Sequence, residues 1–381
     1  MKKRLGFILT LTLASAALTT GTAQDYIFGI VFDAGGKFDR SFNEGTWNGF
    51  SEAIEELSAD YDIDEPLEFE GTSGTAAQGQ REMAAAGADL IVAPGFAQAD
   101  AIQQVSSEFP DTAFVLIDAV AVNPNVRSVL FREQEGSFLV GYIAGTLSQT
   151  GIVGFVGGMD IPLIRAFGLG YETGVTAACP ECTVIANYVG TTPAAWNDPA
   201  RARELATLQQ AQGADIVYAA AGASGAGVID FVNEAMCYNP ANLPGGASLR
   251  ETPLTAQLAD VPKSTSYESR CPEGHQPLFF IGVDANQNFL GDTDNDPETL
   301  NHGLTSMLKR VDVAAYQAVY DVVEGNFSGG IESLGLAENG VGYALDEYNE
   351  ALLSVDLIIA IEDITAQIIA GEIVVPDYRE Q

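Results

Sequence analysis

Short apolar runs alternate with helical segments along most of the chain, and this alternation constrains the fold more than any other feature. The runs are four to seven residues long and rich in β-branched residues, as buried strands are. Strands that alternate with helices predict an α/β class with parallel sheets covered on both faces. The predicted strands are Tyr26–Phe32, Leu90–Ala93, Ala113–Ile117, Val126–Phe131, Ile152–Val156, Thr183–Tyr188, Ile216–Ala220 and Leu278–Val283. The predicted helices include Gly45–Leu57, Ala76–Ala86, Ala97–Glu108, Ser137–Leu147 and Arg201–Gln212.

The pattern occurs twice, over about 25–148 and about 151–283, which indicates two lobes of ordinary domain size. A hydrophobic content of 47% is enough for two cores. Asp198 followed by Pro199 marks a helix start, because Asp caps a helix and Pro fits its first turn. Later in the chain the spacing predicts one long helical stretch over Ser306–Glu324 and a tail that ends in Glu372–Val375.

The segment Met1–Ala23 is typical of a secretory signal peptide, with basic residues before an apolar run and small residues at its end. An N-terminal anchor helix is the alternative, but the apolar run Leu5–Leu18 is short for a membrane span. No cysteine lies just after the expected cleavage point, so we expect an exported periplasmic protein without a lipid anchor. The net charge of −35 disfavours nucleic acid as a partner, since an acidic surface repels phosphates.

Four cysteines in an exported chain favour disulfides. We expect Cys179 to pair with Cys182 in a tight local loop and Cys237 to pair with Cys271. The second pair would clasp the long, irregular insert Asn239–Pro277. A thioredoxin-like redox role for the first pair is disfavoured, because these residues lie between a helix and a strand rather than at a helix start.

A first group of candidate binding residues follows the strand Tyr26–Phe32. Asp33 ends this strand, a Gly-Gly turn comes next, and Phe42 and Asn43 stand where a helix begins. In an open α/β sheet, ligands bind beyond the carboxyl ends of the strands. Asp33 and Asn43 would form hydrogen bonds with the edge of a heterocycle, while the ring of Phe42 stacks on its face. The alternative is structural: Asp33 in a turn, Phe42 in the core and Asn43 as a helix cap.

A second group of candidates also stands at strand ends. Trp196 lies in a loop between a strand and a helix, where an aromatic ring can form a second stacking face. Asp118 and Asp284 can accept hydrogen bonds from sugar hydroxyls, and Gly222 allows backbone to approach a ligand. Lys309 can donate to hydroxyls and neutralise Asp284, or it can simply link the lobes as an ion pair.

Enzyme motifs are poorly represented. The glycine clusters fail dinucleotide-binding spacing, and the chain has no P-loop and no G-x-S-x-G. With two histidines, a zinc cluster or a His-based triad is not expected, so we predict no cofactor, no metal and no catalytic residue. Asp292–Asp296 has part of a calcium-loop pattern, but Pro297 replaces the required Gly.

Several short motifs stand at or near the predicted strand ends and helix starts. They are Phe32-Asp-Ala-Gly-Gly, Asp39-Arg-Ser-Phe-Asn43, Gly95-Phe96, Leu116-Ile-Asp118, Gly136-Ser-Phe-Leu139, Ala220-Ala-Gly222, Gly282-Val-Asp284 and Ser306-Met-Leu-Lys-Arg310. Together these motifs resemble the basic membrane protein family of ABC-importer substrate-binding proteins. The resemblance implies a type I periplasmic binding protein, in which two Rossmann-like lobes with parallel sheets are joined by a three-crossing hinge. The lobes would be 24–148 with 284–325, and 149–283 with 326–381, the second carrying the insert 239–277.

The resemblance also implies roles for the candidate residues. Phe42 and Trp196 would sandwich a base, and Asn43 and Asp33 would read its edge. Asp118, Asp284, Lys309 and Gly222 would hold the ribose. Trp196 departs from the family, which has Phe near this place, and residues 192–195 are extra.

The function predicted is capture of a nucleoside, with a purine base preferred, for an ABC permease in the inner membrane. We expect a monomer that closes its lobes on the ligand without chemistry. Two alternatives stay open. One is binding of a sugar or signalling molecule for a membrane sensor, and the other is hydrolysis of a nucleoside.

Overall fold

The computed structural model describes residues 25–72, 74–244 and 248–380, so the expected signal segment Met1–Ala23 lies outside the described residues. Its main strands are β1 (Phe28–Phe32), β2 (Leu67–Glu70), β3 (Leu90–Pro94), β4 (Ala113–Ile117), β5 (Val126–Phe131), β6 (Ile152–Met159), β7 (Thr183–Gly190), β8 (Ile216–Ala220), β9 (Phe279–Asp284), β10 (Gly303–Lys309), β11 (Gly330–Leu334) and β12 (Val341–Tyr343). The α-helices are α1 (Phe42–Leu57), α2 (Ala76–Ala85), α3 (Ala99–Glu108), α4 (Glu133–Leu147), α5 (Pro162–Ala178), α6 (Pro199–Ala211), α7 (Ala226–Ala235), α8 (Pro253–Asp260), α9 (Thr265–Arg270), α10 (Val311–Val323) and α11 (Val355–Ile369).

These strands form two six-stranded sheets, one in each lobe. The first has the order β11-β5-β4-β3-β1-β2 and is parallel throughout. The second has the order β12-β10-β9-β8-β6-β7, with only the edge strand β12 antiparallel to its neighbour. The two orders match position by position, and the predicted α/β class with two parallel sheets is confirmed.

Burial explains which strands the sequence revealed. All residues of β1, β3 and β8 are buried, as expected where helices cover both faces of a parallel sheet. The predicted strands therefore agree with the structure to within a few residues. The strand β2 was missed, because it lies at the sheet edge and its sequence Leu-Glu-Phe-Glu is half exposed.

The chain crosses between the lobes three times, and the crossings lie side by side. They are the step from β5 into α4, the step from β10 into α10, and the segment between β11 and β12. The backbone N–H of Arg132 donates to the carbonyl of Leu334 at 2.9 Å, and that of Arg310 donates to the carbonyl of Gly340 at 2.8 Å. These bonds tie the first and second crossings to the third, giving the three-crossing hinge that the family resemblance implied.

The lobe boundaries differ from those expected. The expected first lobe included residues 133–148, but α4 packs against α5 of the second lobe. The contact is so close that a Cβ on Gly174 would lie 2.1 Å from the carbonyl oxygen of Phe138. Conversely, β11 was expected in the second lobe but pairs with β5 in the first sheet. By sheet membership and helix packing, the crossings fall near 132, 310 and 335–340.

The predicted helical stretch Ser306–Glu324 is wrong over its first five residues and right over most of the rest. Its first residues belong to β10, which pairs with β9 and β12 in the second sheet, and the helix begins only at Val311. A short apolar run such as Met307–Leu308 fits a buried strand as well as a helix, so periodicity alone did not separate the two. No strand forms within Glu372–Val375.

Both expected disulfides are present, Cys179–Cys182 and Cys237–Cys271. The insert Asn239–Pro277 is less irregular than expected, because it contains α8 and α9. Its two ends are joined where Cys237–Tyr238 pairs with Gln276–Pro277 in a short antiparallel ladder. In the described ranges, no helix combines the length and apolar character that a membrane crossing requires.

Candidate functional site

A cavity with an empty volume of about 610 Å³, including its open mouth, lies between the lobes at the carboxyl ends of both sheets. This is the location expected of a small-molecule site in an open α/β protein. All eight predicted binding residues line it: Asp33, Phe42, Asn43, Asp118, Trp196, Gly222, Asp284 and Lys309. The first four come from the first lobe and the last four from the second. Their sequence separation is large, so the fold alone brings them together.

The segment between β1 and α1 is held by Asp39, a residue that entered the sequence-based prediction only as part of the family resemblance. Its buried carboxylate accepts hydrogen bonds from the backbone N–H groups of Ser41, Asn43 and Glu44 at 2.9, 3.0 and 3.1 Å. The N–H groups of Asn43 and Glu44 belong to the first turn of α1 and would otherwise lack a partner. The carboxylate therefore fixes the helix start and, with it, the position of Phe42.

Asn43 lines the cavity, but most of its amide is engaged within the protein. Its Oδ1 accepts from the backbone N–H of Asp33 at 2.9 Å, and its Nδ2 donates to Asp39 at 3.0 Å. One hydrogen on Nδ2 remains for another acceptor. Asp33 uses Oδ1 to accept from the Ala34 N–H at 2.8 Å. Its Oδ2 lies against Gly95, where a Cβ would come within 2.1 Å of it, so Gly95 is required for this carboxylate to sit at the cavity.

Trp196 reaches the cavity from the short helical turn Pro193–Trp196 between β7 and α6. Its ring packs on Gly158, whose Cβ, if present, would lie 2.4 Å from Cζ3. The Ser224 hydroxyl donates to the Ala195 carbonyl at 2.8 Å and accepts from the Asp198 N–H at 2.7 Å. These bonds tie the Trp196 loop to the turn of Gly222, which has a φ of +54°.

A second aromatic side chain meets Trp196 across the lobes. The ring of Phe96 lies edge-on to that of Trp196, with 6.5 Å between centroids and an interplanar angle of 63°. Phe96 also lines the cavity, although the sequence analysis used it only as part of the family resemblance. The apolar side of the cavity is therefore built from both lobes.

Lys309 is the buried cation of the site. It is 2% exposed, and its Nζ donates to Oδ2 of Asp118 in the other lobe at 2.6 Å. The rings of Phe42 and Phe131 each have their centroid 5.1 Å from Nζ, within the range of a cation–π interaction. Oδ1 of Asp118 is buried and has no hydrogen-bond partner among the described residues. A buried acceptor without a partner is costly, and a ligand hydroxyl would satisfy it.

A fully buried carboxylate supports Lys309 from behind the cavity. Glu133, the first residue of α4, lies with Oε1 3.2 Å from Nζ of Lys309 and Oε2 3.0 Å from Nη1 of Arg379. Neither Glu133 nor Arg379 was among the residues predicted from the sequence to form the site. They are about 250 residues apart, and nothing local to either indicates that they meet.

Two further hydrogen bonds join the lobes beside the cavity. The Ser41 hydroxyl donates to Oδ2 of Asp284 at 2.5 Å, and Nε2 of Gln287 donates to the carbonyl of Arg40 at 2.6 Å. With the Lys309–Asp118 pair, they form a set of polar contacts that exists only while the lobes are closed. The described conformation is therefore a closed one.

Burial changes the pKa values of ionisable side chains that line the cavity. It raises the pKa of Asp33 from its ordinary 3.8 to about 6, an effect that the Ala34 N–H opposes and that Asp118 and Asp39 reinforce. Burial also raises the pKa of Asp284 to about 6, against the opposing effects of Lys309 and the Ser41 hydroxyl. For Lys309, burial lowers the pKa, but the carboxylates of Asp118, Glu133 and Asp284 outweigh it and raise the value above 10.5.

Metal binding has no support in the described part of the chain, where no group of three or more His, Cys, Asp or Glu side chains is placed to hold an ion. The partial calcium pattern forms a turn instead. Oδ1 of Asp292 accepts from the backbone N–H groups of Asp294 and Asn295 at 3.1 and 2.8 Å.

Known proteins resemble this chain over nearly its whole length. Residues 28–242 match the family described as ABC transporter substrate-binding protein, PnrA-like. Basic membrane protein A of Borreliella burgdorferi is 28% identical over 348 residues, which cover 90% of this chain and 85% of that protein. An uncharacterised lipoprotein of Pyrococcus horikoshii is 31% identical over 323 residues, covering 82% and 67%.

A solved structure agrees with these relatives. The solute-binding protein of an Aeropyrum pernix ABC transporter system superposes with a TM-score of 0.72 at 29% identity, covering 93% of this chain and 96% of that one. Both the matching family and this structure are solute-binding components of ABC transporters. The chain therefore belongs to the PnrA-like family of extracytoplasmic ABC transporter substrate-binding proteins.

Proposed function

We propose that the cavity binds a nucleoside, with a purine base preferred, and that the closed protein delivers it to an ABC permease. The observation that carries the proposal is the convergence of aromatic rings and hydroxyl acceptors from both lobes on one cavity. Rings of Phe42 and Trp196 suit the faces of a base, for which stacking contributes roughly 1–3 kcal/mol per base. The family description and the resemblance to a nucleoside-binding family point the same way.

The polar groups divide between base and sugar. Oδ2 of Asp33 and the remaining Nδ2 hydrogen of Asn43 would read an edge that carries both donors and acceptors. The ribose hydroxyls would donate to Asp118 and Asp284 and accept from Lys309. The unpartnered Oδ1 of Asp118 supports this division, because a hydroxyl donor there removes the cost of a buried, unsatisfied oxygen.

Closure of the lobes supplies the transport signal. A ligand favours the closed form only by interactions that are stronger there than in the open form. A base that touches Phe42 of one lobe and Trp196 of the other meets this condition, because opening separates the two rings. The permease would then distinguish the loaded protein by its shape, and the ligand would leave chemically unchanged.

We also propose export to the periplasm and action as a monomer. The signal segment that would direct export lies outside the described residues. Two Pyrococcus relatives are named lipoproteins, so the relatives do not support the expected form without a lipid anchor.

A thermal-shift screen followed by calorimetry tests the ligand class. A ligand of the folded state raises the melting temperature, so purine nucleosides are compared with pyrimidine nucleosides, free bases and sugars at equal concentration. The proposal expects the largest shift from a purine nucleoside. A shift from a sugar alone would favour the sensor alternative. If chromatography detected free base after a nucleoside was incubated with the protein, the protein would instead be an enzyme.

A further inference from the structure

We propose that Arg379 is a positioning residue for nucleoside binding, and that it acts through Glu133 to hold the ammonium of Lys309 against Asp118 at the cavity. This inference rests on the proposed function of the cavity. Arg379 itself does not line the cavity, and its effect would pass along a chain of three charge pairs.

The chain of pairs is continuous and alternates in sign. Nη1 of Arg379 lies 3.0 Å from Oε2 of Glu133, whose Oε1 lies 3.2 Å from Nζ of Lys309. Nζ in turn lies 2.6 Å from Oδ2 of Asp118, the residue offered to the ligand. Glu133 is fully buried and Lys309 is 2% exposed, so water does not screen these two groups.

Glu133 needs both of its cations. Burial raises the pKa of its carboxyl, while Lys309 and Arg379 act to lower it. A buried carboxylate that loses one of two cationic partners keeps the other as its only counter-charge. Without Arg379, Glu133 would draw Nζ of Lys309 towards itself and away from Asp118. The ligand would then meet a displaced ammonium and an Asp118 without its counter-ion.

The surroundings of Arg379 show why an arginine is suited to this task. Its guanidinium contacts Asp377 at 2.7 Å and donates to the carbonyl of Phe131 at 3.1 Å and to Oε1 of Gln134 at 3.3 Å. Several donors in a fixed plane reach several acceptors at once, which a single ammonium does less well. Because Phe131 and Gln134 flank the first crossing, the guanidinium stands where the lobes join.

Binding measurements with five variants test the proposal. Calorimetry with guanosine and adenosine should show that Arg379→Gln lowers affinity by about 10- to 100-fold, by analogy with residues that orient metal ligands. Tyr378→Phe is the matched control, since it changes the neighbouring residue but keeps the pair with Glu133. Arg379→Lys should recover part of the lost affinity. In a Glu133→Gln background, Arg379→Gln should cost little, because the group through which it acts is already neutral.

Two results would overturn the inference. One is wild-type affinity in Arg379→Gln, and the other is an equal loss with and without Glu133→Gln. A crystal structure of unliganded Arg379→Gln gives a readout that needs no ligand. Nζ of Lys309 should move towards Glu133, and an unchanged contact with Asp118 would contradict the proposal. If the wild type bound no nucleoside, the proposed function would fail, and this crystallographic result would still decide the role of Arg379.

Discussion

Asp118 and Asp284 hold the same place in the two lobes and face the same cation. Asp118 follows β4 and Asp284 ends β9, the third strands of the matched sheet orders. Their φ values of +70° and +65° are unusual for residues other than glycine. Lys309 donates to Asp118, and its charge partly offsets the burial that raises the pKa of Asp284. The two lobes therefore present a pair of carboxylates, related by the repeat of the fold, around a single ammonium.

Replacing Asp118 should weaken binding sharply. Asp118→Asn removes a charged acceptor, and a hydrogen bond to a charged group contributes about 1.5–3 kcal/mol, or roughly 10- to 150-fold in affinity. Calorimetry with the preferred nucleoside measures this loss. Asp294→Asn, at an exposed turn, is the matched control and should bind like the wild type. Equal affinities for the two variants would remove Asp118 from the site.

The aromatic faces should contribute separately. Phe42→Ala and Trp196→Ala should each lower the affinity for a nucleoside by roughly 1–3 kcal/mol. Free ribose, which has no base to stack, should be affected much less. Phe38→Ala serves as control, because Phe38 lies in the same loop as the site but is 76% exposed and does not line the cavity. If Phe38→Ala weakened binding as much as Phe42→Ala, the stacking assignment would be wrong.

The cavity should discriminate against phosphorylated ligands. Four carboxylates line it (Asp33, Asp39, Asp118 and Asp284) against the single ammonium of Lys309. Like charges brought together at a binding site cost several kcal/mol. A nucleoside 5′-monophosphate should therefore bind about 100-fold or more weakly than its nucleoside at neutral pH. The two affinities can be compared in a calorimetric competition experiment. If the monophosphate bound about as tightly as the nucleoside, its phosphate would have to lie away from the carboxylates of the cavity.

Acidification should stabilise the unliganded protein. Burial raises the pKa of Asp33, Asp215 and Asp284 to about 6 in the folded state, whereas it is about 3.8 in the unfolded chain. At pH values between these two pKa values, the folded protein binds more protons than the unfolded chain does. The free energy of unfolding therefore rises as the pH falls from about 7 towards 4. His302 opposes this change, since burial lowers its pKa to about 4. The exposed carboxyls of Glu56, Glu108, Glu234 and Glu338 also oppose it, because hydrogen bonds lower their pKa, but solvent screens these groups and weakens their effect. The buried carboxyls of Asp39 and Glu133, whose pKa burial raises, act in the same direction as the three aspartates.

Ligand affinity should change in the opposite direction. Protonated Asp33 and Asp284 can no longer act as charged acceptors, so nucleoside affinity should fall as pH drops through about 6. Melting curves with and without nucleoside at pH 7.5 and pH 5 measure both effects. Asp215→Asn should reduce the pH dependence of stability but leave that of affinity intact, because Asp215 is bound by Ser148 and the Gln149 and Thr150 N–H groups away from the cavity. An affinity independent of pH would contradict a role for these carboxylates.

The disulfide of the insert should matter for stability but not for binding. Cys237 and Cys271 close a loop with a sequence separation of 34, for which the loss of chain entropy predicts about 4 kcal/mol. The bond lies near the start of β9, while the cavity residue Asp284 lies at its other end. A Cys237→Ser, Cys271→Ser double variant should melt at a lower temperature and keep its affinity. Lost affinity in a folded variant would connect the insert to the site.

Local sequence signals predicted the strand ends well, and through them the cavity. A buried parallel strand is a continuous apolar run in the sequence. The polar residue that ends this run can therefore be identified from the sequence alone, as with Asp118 after β4 and Asp284 at the end of β9. Lobe membership could not be read this way. Whether α4 packs on one sheet or the other depends on close contact with α5, which no local pattern records.

The supporting residues were missed for a similar reason. Asp39 could have been found as a carboxylate that caps the helix start near Asn43, but Asn43 was considered for that role and Asp39 was used only as part of the family resemblance. Glu133 and Arg379 gave no such signal. Each appears in the sequence as an ordinary charged residue, and only the long-range fold buries one and brings the other to it.

The three adjacent crossings limit how this molecule can move. Three backbone segments linked side by side, through Arg132 to Leu334 and through Arg310 to Gly340, behave as a narrow ribbon. A ribbon bends readily about one line across its width but resists twisting and sideways sliding. Opening of the lobes is therefore restricted to rotation about a single hinge axis, so one angle describes it. A transporter that senses this one angle has all the information it needs to tell a filled carrier from an empty one.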